Sequence, residues 1–135
     1  MITFQNISKF KVKDLKKKKL WLNSISKNEG KEIKSLSFLF VDDDEMLEYN
    51  KKYLQHESYT DVITFDNSTE KRIAGDIIIS LERVNDNAKF YQVSYNYELQ
   101  RVMAHGLLHL LGYNDKNKEE KKIIRKKENY YLKVV

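Results

Sequence analysis

Two of the chain's three histidines, His105 and His109, stand four residues apart in an otherwise apolar run, and Gly112, Tyr113, Asn114 and Asp115 follow them. On an α-helix a four-residue step returns to the same face after about 6 Å of rise. Both imidazoles can then reach one cation at metal–nitrogen distances of about 2.1 Å. Gly112 is a natural helix stop, because glycine accepts the left-handed conformation that ends a helix. Three residues further on, Asp115 occupies the place where the returning chain meets the same ion. His105, His109 and Asp115 therefore form a three-ligand site for one divalent ion, expected to be zinc, with the remaining coordination position open to water. Two histidines satisfied by backbone carbonyls inside a core would explain neither the glycine stop nor the returning carboxylate. Val102, Leu107, Leu108, Leu110 and Leu111 are read as core residues with no cofactor role.

The pattern H-x-x-x-H-x-x-G-x-x-D has the ligand spacing of an extended metalloprotease motif. That chemistry needs a glutamate directly after the first histidine as general base. Here the position is Gly106, and no methionine follows the site to build the turn of that class. A metalloprotease-like hydrolase stays open only if a base comes from elsewhere.

The elements that must position this group belong to one domain, residues 1–135, by length. A hydrophobic content of 41% with 12% aromatics favours a folded globule over a disordered chain. No run of about 18 apolar residues and no basic-apolar leader is present, so no membrane partner is expected and the location is read as cytoplasmic. Zero cysteines remove disulfides, thiolate ligands and a cysteine nucleophile together. The formal charge of +5 permits an anionic partner but does not select one. The run Leu15–Leu20, with four lysines between two leucines, is read as a solvated helix face, since adjacent residues point in different directions around a helix.

Ile2–Ser8 alternates like a short strand. Residues 13–26 read as a helix with Leu15, Trp21, Leu22 and Ile25 on its apolar side, ended by Asn28 to Gly30. Ser35–Val41 is a strand, after which Asp42–Asp44 cap a helix running through Met46, Leu47, Asn50, Tyr53 and Leu54. The stretches 61–67 and 72–80 are two strands joined by a hairpin or a wider connection. Helices follow at 81–91, 95–111 and 118–131. The order β-α-β-α-β-β-α-α-α implies an α+β fold with a mixed four-stranded sheet, about five helices and the metal site at the end of a central helix.

The segment His105–Asp115 resembles the His-Gly-x-Leu-His-Leu-x-Gly-Tyr-Asp-His signature of the YbeY family of metal-dependent endoribonucleases. Two further blocks stand in the right order. Tyr59–Phe65 resembles the family's Pro-Thr-Asp-Val-Leu-Ser-Phe, and Ala74–Ser80 its Leu-Gly-Asp-Ile-x-Ile-Ser. Asn50 and Tyr53 fit the preceding helix, so the match covers roughly Leu39 to Glu120. The resemblance implies a single-strand-specific endoribonuclease acting in 16S ribosomal RNA 3′-end maturation and ribosome quality control. The implied partners are single-stranded RNA, a ribosomal RNA precursor and the ribosome, with no DNA expected. A non-catalytic ribosome-assembly factor with a structural metal is the remaining alternative.

Three positions depart from the family pattern. Asp115 stands where the third ligand is usually histidine, and Asn114 replaces the preceding aspartate. An aspartate oxygen binds zinc at about 2.0 to 2.2 Å, so the site is expected to survive, with its added negative charge making bound water less acidic. Leu54 replaces an arginine that the family uses against RNA phosphate, which leaves Lys51, Lys52, Arg72 and Arg101 as candidate phosphate contacts. His56 is a surface-loop histidine or a substrate contact over the site. Thr60, Asp61 and Asp76 are read as structural hydrogen-bonding groups near the cleft, not as ligands.

Overall fold

The structure, a computed structural model, describes residues 1–54 and 60–134. The candidate substrate contact His56 lies outside the described residues. Four strands, β1 (Ile2–Asn6), β2 (Glu32–Val41), β3 (Val62–Asp66) and β4 (Arg72–Ser80), form one sheet in the order β1-β2-β4-β3. β1, β2 and β4 are mutually parallel neighbours, and β3 runs antiparallel along the β4 edge. Five helices accompany them: α1 (Leu15–Asn28), α2 (Asp43–Tyr49), α3 (Leu81–Tyr91), α4 (Tyr95–Leu110) and α5 (Lys118–Lys133). The mixed sheet and the element order are those expected from the sequence.

Alternation along the strands decides which face is covered. Leu36, Phe38 and Phe40 of β2 and Ile73, Ile77 and Ile79 of β4 are buried in the main core with α1, α3, α4 and α5. Phe4 stacks on Phe38 and Phe40 with ring centroids 5.4 and 5.9 Å apart. On the opposite face a smaller core gathers Val41, Met46, Ile63 and Ile78 beneath α2. The continuous Ile77–Ile79 run is apolar because one strand feeds both cores.

α4 is placed by close approach to the sheet. A Cβ on Gly106 would stand 3.0 Å from Ile77 Cγ2, so this face of α4 already fills the space above β4. α1 holds α5 through Trp21, whose Nε1–H donates to the Tyr131 carbonyl at 3.0 Å. Of the four consecutive lysines on α1, Lys16, Lys17 and Lys19 are exposed while Lys18 is buried. Its ammonium donates to Lys13 O at 2.6 Å and Asn96 Oδ1 at 2.9 Å, and burial lowers its pKa.

Boundaries move by two or three residues. β2 begins at Glu32, α1 is shifted two residues toward the C-terminus and α5 runs two residues longer than the periodicity implies. The larger difference follows Asp42, whose backbone N–H donates to Glu45 Oε1 at 3.1 Å as the aspartate run starts α2. That helix stops at Tyr49 and passes into a π-helical turn, Asn50–Leu54, where Tyr53 stacks on Tyr49 at 5.9 Å and meets Phe65 edge-on at 5.3 Å. The wider turn seats Asn50 in the interior.

Gly75 is the tightest point of the sheet, since a Cβ there would lie 2.3 Å from the Phe65 carbonyl oxygen on the neighbouring strand. Gly75→Ala is expected to lower the unfolding free energy by about 1–3 kcal/mol. Urea denaturation followed by circular dichroism measures this as a lower midpoint.

Candidate metal centre

The last two turns of α4 bring His105 and His109 onto one side, with ring centroids 4.6 Å apart. The helix then ends in two hydrogen bonds that reverse the chain: Gly112 N–H donates to His109 O and Tyr113 N–H to Leu108 O, both at 3.0 Å. This is a Schellman stop, and Gly112 takes the required positive φ of 108°. Beyond it, Asn117 caps α5 by accepting from Glu120 N–H at 2.9 Å, while Glu120 Oε1 accepts from Lys116 N–H at 3.0 Å. Asp115 is thus held between two helix termini whose geometries are both fixed.

The turn is also pinned from the side. Tyr113 O–H donates to Glu29 Oε1 at 2.6 Å, and Lys127 and the Tyr131 hydroxyl meet the other Glu29 oxygen. Burial would raise the Glu29 pKa, but these three donors outweigh it and hold the carboxyl below its usual range. Burial, with Glu29 beside it, pushes the Tyr131 phenol up to about 12.

Asp115 Oδ2 then lies 3.3 Å from His105 Nε2 and 3.3 Å from His109 Nε2, and the two Nε2 atoms are 3.0 Å apart. Donor atoms around a tetrahedral zinc at about 2.1 Å stand roughly 3.4 Å from one another, so this spacing fits a shared ion. Three donors within 4.8 Å of one another form a group that can hold a metal ion. Two imidazole nitrogens and a carboxylate oxygen are a donor set that suits zinc and other first-row divalent ions alike.

Glu128 on α5 completes the arrangement from behind. Its Oε2 lies 2.6 Å from His105 Nδ1, which fixes the tautomer with Nδ1–H donating and leaves the Nε2 lone pair turned to the centre. Arg101, one turn before His105, donates to both Glu98 oxygens at 2.9 and 2.6 Å and to Glu128 Oε1 at 3.1 Å. Glu98 and Glu128 are only 2% and 1% exposed. Burial alone would raise Glu128, yet His105 and Arg101 hold it below the usual carboxylate range. The guanidinium answers the opposite way: burial opposes its charge, but Glu98 and Glu128 raise its pKa further. Arg125 Nε also stands 3.7 Å from Glu128 Oε1, so the two buried carboxylates share two guanidinia while Glu128 turns its other oxygen to His105. Asp61, 4.0 Å from Arg101, is raised by burial against the pull of Arg101 and His105.

A cleft of about 580 Å³ opens beside the centre, lined by His105 and Asp115 and along one side by Lys121, Lys122, Arg125 and Lys126 of α5. Of the sequence candidates for phosphate contact, Arg101 lines this cleft with its guanidinium committed to carboxylates. Lys51 and Lys52 lie on the π-helical turn, where Lys52 Nζ sits 5.3 Å from the Tyr53 ring centre, and Arg72 faces Glu32 at 3.9 Å. None of these three is among the described residues of the cleft wall. The sequence reading missed Glu128 and the α5 cations. The available signal was Glu128 itself, a carboxylate in the buried i, i+4, i+7 stripe of Ile124, Glu128 and Tyr131.

A two-histidine, one-carboxylate group on a sheet-packed helix, open on a cationic cleft, defines the class of metal-dependent hydrolases. The chain belongs to the YbeY family: the family model described as endoribonuclease YbeY matches residues 2–135. It is 44% identical over 130 residues to the endoribonuclease YbeY of Cytophaga hutchinsonii, covering 96% of this chain and 91% of that protein. It is 42% identical over 137 residues to that of Phocaeicola vulgatus, covering 100% and 99%. The solution structure of TM1509 from Thermotoga maritima superposes with a TM-score of 0.73 at 28% identity, over 98% of this chain and 87% of that one.

Glu128→Gln is expected to weaken zinc binding by about 10- to 100-fold, measured by competition with a chromogenic chelator. Glu29 gives a pH-dependent outcome. Its folded pKa is depressed, so its contribution is present above the unfolded value and is lost as pH falls through the folded one. Glu29→Gln should cost about 1–3 kcal/mol at neutral pH, and the difference from wild type should close in acid, as followed by urea titrations across pH.

Proposed function

We propose that residues 1–135 act as one YbeY-type metallohydrolase domain, an endoribonuclease that uses one divalent ion, zinc, to cut single-stranded ribosomal RNA precursor. The expected setting is the cytoplasmic ribosome, at the 3′ end of 16S ribosomal RNA. The observation that carries this reading is the convergence of His105 Nε2, His109 Nε2 and Asp115 Oδ2 at 3.0–3.3 Å, with Glu128 fixing His105 from behind. Family membership supplies the RNA substrate class. No described helix is long and apolar enough to cross a membrane.

A divalent ion bound here supplies Lewis acidity toward a phosphoryl oxygen and lowers the pKa of water, chemistry that needs no dedicated protein base. The chain's own groups do the rest. Glu128 keeps the proton of His105 on Nδ1, so the ring cannot turn its N–H toward the substrate side. Asp115, 41% exposed, leaves the centre accessible from the cleft. The α5 cations raise the local concentration of a polyanion and offset phosphate charge near the reacting group.

Peptide hydrolysis is disfavoured by a contact the sequence did not show. Position 106, where a metalloprotease carries its glutamate, is glycine, and a Cβ there would stand 3.0 Å from Ile77 Cγ2, so a larger residue would have to displace that side chain. A purely structural metal is disfavoured too, since such sites are closed by four protein donors and the group among the described residues has three beside an open cleft.

The test is cleavage of a single-stranded ribosomal RNA 3′-end fragment by metal-loaded protein, with and without chelator. His109→Ala should lose cleavage by more than the roughly 100-fold typical of outer-shell changes while keeping its circular dichroism spectrum, and Asp115→Ala should lose bound metal by elemental analysis. Equal cleavage with and without chelator would sink the metal mechanism.

A further inference from the structure

We propose that α5 is the phosphate-holding wall of the cleft, with Lys122 and Lys126, flanked by Lys121 and Arg125, engaging consecutive phosphates of one RNA strand that reaches the metal centre. This rests on the endoribonuclease reading above and adds which residues hold the substrate.

The four cations line the same cleft as His105 and Asp115. They form two rows, Lys121 with Arg125 and Lys122 with Lys126, each a four-residue step of about 6 Å along the axis. That step is comparable to the separation of neighbouring phosphates in an extended strand. Other cations near the centre are spent on the protein itself: Arg101 on Glu98 and Glu128, and Lys127 on Glu29 at 3.1 Å. Lys121, Lys122 and Lys126 are exposed and make no ion pair among the described residues.

Folding stability does not account for their placement. Like charges four residues apart repel on a helix surface, and cations in the first turns oppose the macrodipole. The pairs Lys118–Lys122, Lys122–Lys126 and Lys121–Arg125 incur the first, and Lys118 and Lys121 at the start of the helix incur the second. An anion lying across the rows relieves them. The rest of the wall also speaks to the ligand. Ile124, Asn129 and Glu128, the last paired with His105 and Arg101, complete the α5 side, and no Phe, Tyr or Trp ring lines the cleft among the described residues. Bases find no stacking platform there, so the strand is held by its backbone with little sequence reading.

The experiment is steady-state cleavage of a short single-stranded RNA by zinc-loaded protein, with KCl varied over about 50–200 mM. The double variant Lys122→Gln/Lys126→Gln is compared with wild type and with Lys16→Gln/Lys17→Gln, two exposed α1 lysines away from the cleft. The cleft variant should raise KM roughly tenfold with kcat nearly unchanged, and the slope of log(kcat/KM) against log[KCl] should shrink by about 1.4, roughly 0.7 for each phosphate no longer neutralised. Its thermal midpoint should be equal to or above wild type, which separates weakened binding from impaired folding. The α1 control should behave as wild type. Intact wild-type cleavage with unchanged KM and slope in the cleft variant would overturn the wall and leave the endoribonuclease reading standing. An equal loss in the α1 control would overturn it as diffuse charge. A wild-type protein that shows no metal-dependent RNA cleavage would overturn both.

Discussion

The bond between His105 Nδ1 and Glu128 is the interaction on which the centre depends. It joins a histidine of the candidate centre on α4 to a nearly inaccessible carboxylate on α5, twenty-three residues later. A buried carboxylate is costly unless it is paired and hydrogen-bonded. Glu128 meets that requirement only where His105 and Arg101 both stand, so its ionisation, the histidine tautomer and the packing of α5 on α4 are one condition. The same constraint explains Arg101. Its guanidinium spans Glu98 and Glu128 and is structural in the literal sense, pairing two buried carboxylates inside the fold.

Around that link, the remaining geometry is built from local devices that do not need one another's chemistry. A Schellman stop at Gly112 reverses the chain, an asparagine cap at Asn117 starts α5, and Glu29 ties the intervening turn to α1 through Tyr113. Asp115 is half-buried, and its backbone has little freedom because both flanking elements are anchored. Gly106 shows the converse economy, in which its glycine lets α4 pack closely on Ile77.

The resulting surface has one side suited to a polyanion. α4 contributes the histidines, the turn contributes the aspartate, and α5 contributes both the buried carboxylate that orients a ligand and the exposed cations that line the approach. The face of α5 turned inward and the face turned to the cleft carry opposite charge. A single amphipathic helix thus links the electrostatics of the centre to those of its surroundings.

Most of the architecture was legible along the chain because periodicity is a local property: the alternation in β1, the apolar stripe of α4 and the aspartate cap at Asp42 report their own conformation. The convergence of His105, His109 and Asp115 was legible for the same reason, since these residues and Gly112 lie within eleven residues and one helix end dictates their spacing. Short-range rules do not extend to the π-helical turn after α2, where packing of Tyr53 against Tyr49 and Phe65 overrides simple helical periodicity. They also could not rank the candidate phosphate contacts, because an arginine reads as free cation until its partners are known. Pairing Arg101 with Glu98 and Glu128, setting Glu128 behind His105 and turning the α5 lysines toward the centre are contacts between residues remote in sequence. Only the packing of α5 against α4 brings them within hydrogen-bond or Coulomb range, and that packing is set by the whole core, not by any one segment.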